Sequence, residues 1–239
     1  LPWWWAIPSS SWHCLIGGVG GAVIATSGSE FVKWSGIVKK VLIPTLAAPL
    51  IGFAVGIVIM VALFWISRNA QPQRVQRRFR IAQLASASVM AFSHGSNDAQ
   101  KTMGVITLAL FATGAIPELT VPLWVKIASA VTIALGTYAG GKRIIRTLGM
   151  RLVKLTPAQG FAAETAASAV LLGTAHFGFP VSTTHVITTS VMGVGATERA
   201  SAVRWGLSVD IFVAWIVTLP AAALIGGLCA LAAQAIFAG

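Results

Sequence analysis

Three apolar stretches, residues 41–66, 122–141 and 205–237, each reach or exceed the roughly 18 residues that mark a membrane span. In hydrocarbon every backbone N–H and C=O must find its partner inside the protein, so such segments fold as helices or close into barrels. Barrel strands need only about 9–11 residues to cross, so stretches of this length point to helices. With 56% apolar and 10% charged residues among 239, the sequence predicts an all-α polytopic membrane protein.

The net charge of +11 invites a nucleic-acid reading, but its distribution opposes it. Ten of the seventeen basic residues fall in two places: Arg68, Arg74, Arg77, Arg78 and Arg80, then Lys142, Arg143, Arg146, Arg151 and Lys154. Basic segments between apolar spans are the signature of cytoplasmic loops. The partner they indicate is the lipid bilayer, and the expected location is a bacterial plasma (inner) membrane.

A short polar motif occurs twice. Pro8-Ser9-Ser10-Ser11-Trp12-His13 and Pro180-Val181-Ser182-Thr183-Thr184-His185 align residue for residue, and Gly21 then falls on Gly193. Each copy is a helix breaker followed by hydroxyls and an apolar helix, which is N-cap chemistry: side-chain oxygens take up free backbone N–H groups. Such helix ends carry roughly half a positive charge and bind phosphate readily. With the basic segments inside, the first copy dips into the membrane from outside and the second from the cytoplasm. Opposed entry is what inverted-topology repeats require. Ser10, Ser11, Ser182, Thr183 and Thr184 are the candidate oxyanion ligands, formed without a buried lysine or arginine. His13 and His185 stand directly behind them, placed to orient the hydroxyls or to take up a proton.

Between the copies lies Ser93-His94-Gly95-Ser96-Asn97-Asp98-Ala99-Gln100-Lys101, expected to break a span near the membrane middle. An aspartate there costs roughly 2.5–3.5 kcal/mol on insertion scales, which marks it as functional. Asp98, with Asn97, Ser96 and Gln100, offers a carboxylate, amide and hydroxyl oxygens suited to Na⁺, while the carboxylate alone could carry a proton. Pairing of Asp98 with Lys101 one turn away is the structural alternative. Gly17/Gly21, Gly52/Gly56 and Gly136/Gly140 have the small-xxx-small spacing of close helix packing.

At these residues the chain resembles the inorganic phosphate transporter (PiT) family, through His94-Gly-Ser-Asn-Asp-Ala-Gln-Lys101, Pro180-Val-Ser-Thr-Thr-His185 and, more loosely, Pro8-Ser-Ser-Ser-Trp-His13. The resemblance implies a secondary transporter of two inverted repeats, with re-entrant helical hairpins and a broken helix in each. It would move orthophosphate with Na⁺ or H⁺, or as a metal–phosphate complex. By similarity, Asn97 joins the hydroxyls around phosphate and Asp98 anchors the cation. An Asn-Asp motif expected upstream of Pro8 is absent and the chain opens at Leu1, so the sequence is expected to be an N-terminally truncated fragment, inactive by itself. Trp12 stands where the other copy has Thr184, and a backbone contact is expected to be lost there.

The domain reading follows. Residues 1–66 are the C-terminal part of the first repeat, 67–80 a basic cytoplasmic loop, and 81–239 the second repeat. No enzyme, cofactor or resident metal is expected; the partners are phosphate, a coupling cation and lipid, and a homo-oligomer is compatible with this class. Two rivals remain. One is a transporter or channel for another oxyanion such as sulfate. The other is an intramembrane serine hydrolase using Ser93 or Ser96, which needs one activated hydroxyl beside a base and lacks a G-x-S-x-G elbow.

Overall fold

A computed structural model describes residues 7–179 and 181–237; Pro180 of the second motif and Leu1 to Ala6 lie outside them. Among the described residues the chain is helical from end to end. Helix α1 (Ser11–Ser27) is followed by a short helix α2 (Trp34–Ile37), which runs through a π-turn (Val38–Leu42) into α3 (Ile43–Ser67). Next come α4 (Pro72–Ala112), α5 (Leu123–Arg146) with a π-turn to Leu152, α6 (Pro157–His176), α7 (Thr183–Glu198) and α8 (Trp205–Phe237). Three segments are long and apolar enough to cross a membrane: Trp34–Ser67, Leu123–Leu152 and Trp205–Phe237. These cover the spans read from sequence, apart from Pro122, which stands just before α5.

The molecule exposes large apolar side chains and buries many hydroxyls beside its apolar core, unlike a water-soluble domain. Leu46, Leu50, Ile66 and Ile216 are each more than 70% exposed, while Ser10, Thr188 and Ser190 are fully buried. Only a lipid exterior makes that distribution favourable, because water would drive the apolar side chains inward.

The two copies exchange partners. Helix α1 packs on α8, and α7 packs on α3. Both contacts are backbone to backbone and depend on the aligned glycines. A methyl group on Gly21 would collide with the carbonyl oxygen of Ala223, and one on Gly193 with that of Phe53. Gly52 and Gly56 meet Thr189 and Ser190 in the same way. Phe53 and Ala223 follow Pro49 and Pro220 by four and three residues, so the two interfaces are equivalent. Along each interface the residue numbers rise together, Gly17 against Leu219 and Gly21 against Ala223, so each capped helix runs parallel to its span. Gly136 is different: a methyl group placed there would meet nothing within 4 Å, and the residue lines a cavity.

Two expectations need correcting. Helix α4 runs unbroken across Ser93 to Lys101. One glycine costs only about 1 kcal/mol relative to alanine and need not end a helix. Hydroxyls here bond back to the helix without opening it: Ser93 donates to the Val89 carbonyl and Thr102 to that of Asp98. The basic loop at 67–80 is also mostly helix. Pro72 begins α4 at a position that needs no N–H, and the following Arg and Gln residues are good helix formers. Arg74, Arg77, Arg78 and Arg80 therefore stand on the first turns of α4.

The second hairpin matches its sequence reading closely. Thr156 and Gln159 form a capping box that starts α6. The helix ends at Gly178, whose φ of 67° suits a residue without a Cβ, and the chain turns back into α7.

Candidate functional site

Both motif copies cap their helices with the same residue. Ser10 Oγ accepts from the His13 N–H at 3.3 Å, and Ser182 Oγ accepts from the His185 N–H at 3.4 Å. Each cap satisfies the third N–H of its helix. The N–H groups of the first two positions, Ser11 and Trp12 in α1 and Thr183 and Thr184 in α7, take no part in it.

The two capped ends then meet. Thr184 Oγ1 donates to the carbonyl of Ser9 at 3.0 Å, tying the second copy to the first. The Asp98 carboxylate lies between them: Ser11 Oγ donates to its Oδ2 at 3.3 Å, and Thr183 Oγ1 to its Oδ1 at 3.4 Å. Ser11 and Thr183 are equivalent positions of the two motifs, so one carboxylate reads the same position in both. Lys101 Nζ completes the cluster, donating to Asp98 Oδ1 at 2.9 Å and to the Val181 carbonyl at 3.3 Å. Its ammonium also lies 5.5 Å from the centre of the Trp12 ring, within cation–π range. His94 Nε2 stands 3.9 Å from Asp98 Oδ2.

Behind the hydroxyls the motif histidines pack on one another. Their ring centres are 5.0 Å apart, and His185 stacks on Trp215 at 3.7 Å. His13 Nε2 bonds Thr45 Oγ1 at 2.8 Å, and Trp215 Nε1 donates to the Pro8 carbonyl at 2.9 Å. Thr45 precedes Pro49 and Trp215 precedes Pro220, so the convergence falls about a third of the way along both spans, Trp34–Ser67 and Trp205–Phe237. A cavity of about 1020 Å³ opens onto it, with Ser9, Ser11, His94, Asp98 and Thr184 in its wall. Glu164 lines the same cavity, held by Gln83 at 3.4 Å and by a short bond from Ser86.

The family model described as the phosphate transporter family matches residues 1–226. The chain belongs to the phosphate transporter family. It is 50% identical to a probable low-affinity inorganic phosphate transporter of Mycobacterium bovis over 228 residues, 95% of this chain and 55% of that protein. A protein of the same description from Rhizobium meliloti is 46% identical, covering 98% of this chain and 70% of that one. One from Bacillus subtilis is 35% identical, over 95% and 68%. The chain thus spans about half the length of its mycobacterial relatives. A solved structure, the sodium-dependent phosphate transporter, superposes with a TM-score of 0.83 at 21% identity, over 98% of this chain and 75% of that one. That likeness shows the fold of this family member, an all-α membrane protein.

Within that fold the predicted residues separate. Ser10, Ser11, Ser182, Thr183, Thr184, Asp98 and both histidines come together. Ser96 and Gln100 do not: at 100° per residue on an unbroken helix they lie about 160° from Asp98, on the far face. Asn97 stands between, roughly 100° from Asp98. The break assumed from sequence would have gathered these oxygens, and its absence disperses them. Trp12 loses no cap, because the capping oxygens are Ser10 and Ser182 and Thr184 bonds elsewhere. The cluster contains a lysine with little exposure, Lys101, where the sequence reading expected none; its spacing from Asp98 was the only signal for it. The partners of Glu164 carried no signal in sequence. Of the two serines named for a hydrolase, Ser93 directs its hydroxyl to the Val89 carbonyl at 2.7 Å.

Proposed function

We propose that the protein moves inorganic phosphate across the membrane, binding it where the N-termini of α1 and α7 converge, and that the movement is coupled to a cation, Na⁺ or H⁺. One observation carries this reading: Ser11 and Thr183, the first helical residues of the two copies, both reach the single carboxylate of Asp98. Two helix N-termini aimed at one place concentrate N–H donors and positive partial charge where a tetrahedral oxyanion needs them. Ser11, Thr183 and Thr184 then supply hydroxyls, with Asn97 at the margin, and Ser10 and Ser182 hold the helix ends in position. The names of the relatives agree with phosphate as the substrate.

Coupling follows from the carboxylate. Asp98 repels an arriving phosphate unless a positive charge neutralises it, whether from Lys101 at 2.9 Å or from a cation drawn from solution, so the charge balance at this carboxylate links cation to anion. Because the two capped helices run parallel to different spans, rocking of one repeat against the other would separate them and expose the site to alternate faces. The experiment is radiolabelled phosphate uptake into proteoliposomes carrying the full-length protein. Replacing Ser182 and Thr183 together by Ala should reduce uptake at least tenfold, the effect of about 1.4 kcal/mol lost from binding. Undiminished uptake would overturn the site.

A further inference from the structure

The contacts of Lys101 point to a role beyond holding Asp98 in place. Its ammonium is directed at one carboxylate oxygen and one backbone carbonyl, Asp98 Oδ1 and Val181 O. The Thr183 hydroxyl is bound to that same carboxylate oxygen. A carboxylate, a carbonyl and a hydroxyl are the hard oxygen donors that an alkali cation would take. The side chain is only 8% exposed, and its ammonium lies 5.5 Å from the centre of the Trp12 ring. A carboxylate withdrawn this far from solvent, Asp98 being 18% exposed, favours one compensating positive charge, and here the chain itself provides it.

We propose that Lys101 is a tethered cation filling the ion position at Asp98, so that this half of the molecule takes up no Na⁺ from solution when it binds phosphate. The proposal rests on reading Asp98 as the ion-binding carboxylate of a phosphate site. Its electrostatics are favourable. The Lys101 and Asp98 charges cancel, and two helix N-termini of roughly half a charge each leave about one positive charge for the anion. A second cation at Asp98 would meet the ammonium at close range inside a low-dielectric environment, where like charges repel strongly. Removing the ammonium reverses this: the carboxylate is left unpaired and recruits a cation from solution.

The test compares the full-length protein with K101Q, which removes the charge and keeps a polar end, and K101R, which keeps the charge. Phosphate uptake into proteoliposomes is measured against Na⁺ concentration, with choline as the replacement ion. K101Q should gain a Na⁺ dependence steeper by one ion than that of the wild type. At Na⁺ about ten times its dissociation constant its uptake should rise roughly tenfold, while K101R should follow the wild-type curve. Identical Na⁺ curves for wild type and K101Q would overturn the proposal. Absence of uptake by the wild type under any ion gradient would instead contradict the transport reading. For that case, or if K101Q is inactive, thermal unfolding of the purified detergent-solubilised proteins decides. Na⁺ should raise the midpoint of K101Q several degrees more than those of wild type and K101R, and equal shifts in all three would overturn the tethered cation.

Discussion

Helix α7 buries eleven of its sixteen residues, whereas α1, which opens with the same cap, buries three of seventeen: His13, Gly17 and Gly21. The first is enclosed by α3 and α6; the second leans chiefly on α8. Yet at the convergence the two are matched, each with a buried capping serine, a first-turn hydroxyl on Asp98 and a histidine behind. The chemistry at the helix start is the same in both copies; the difference in burial reflects α6, which packs on α7 and has no counterpart beside α1 among the described residues. Substitutions along the body of α7 should therefore be felt more strongly than those along the body of α1, while the caps, buried in both, should behave alike.

The largest effect is expected from adding a methyl group to the contact glycines. G193A forces the α7 backbone off Phe53, and overpacking of this kind costs about 1–3 kcal/mol or more. G21A presses on Ala223 in the same way, but α1 is less enclosed and can shift. Detergent-extracted protein run on size exclusion should show G193A depleted of monodisperse material more severely than G21A; the opposite order would break the comparison.

Next come the caps. S182A and S10A each lose an N-cap, with an expected cost of about 1 kcal/mol, and both serines are buried. Unfolding midpoints should fall equally for the two, a sharper statement than shared sequence alone allows. A smaller change in stability, about 0.5 kcal/mol, is expected for T183V and S11A, whose bonds to Asp98 are long. Their mark should appear in phosphate affinity, with the apparent KM for uptake rising in both variants. S96A and Q100A should leave uptake within error of the wild type, because these side chains lie on the far face of α4. A loss in either would mean that α4 opens at Gly95 during transport.

Much of this arrangement was legible in the sequence. The capping serines, the two spans that receive α1 and α7, and the contact roles of Gly17, Gly21, Gly52 and Gly56 follow from residue type, spacing and the doubled motif. What failed was the inference from polarity to a broken backbone. In a membrane a run such as Ser93 to Lys101 must find partners, but it can find them laterally. Asp98 does so through Lys101, Ser11 and Thr183, contacts that span up to 87 residues of sequence and leave no local trace. The stacking of His185 on Trp215 was hidden for the same reason, as were the bonds of Glu164. Local rules describe how each helix starts; which helices meet is decided by packing that no short window contains.

The central claim is that phosphate binds between the first turns of α1 and α7. It is tested most directly by cross-linking S11C to T183C with a short bifunctional thiol reagent in full-length protein whose exposed Cys14 and Cys229 have been replaced by Ser. The account predicts that the cross-link forms in the absence of phosphate and that saturating phosphate slows it markedly, with sulfate at the same concentration slowing it less. A cross-link that forms at the same rate with and without phosphate, or none at all, would contradict it.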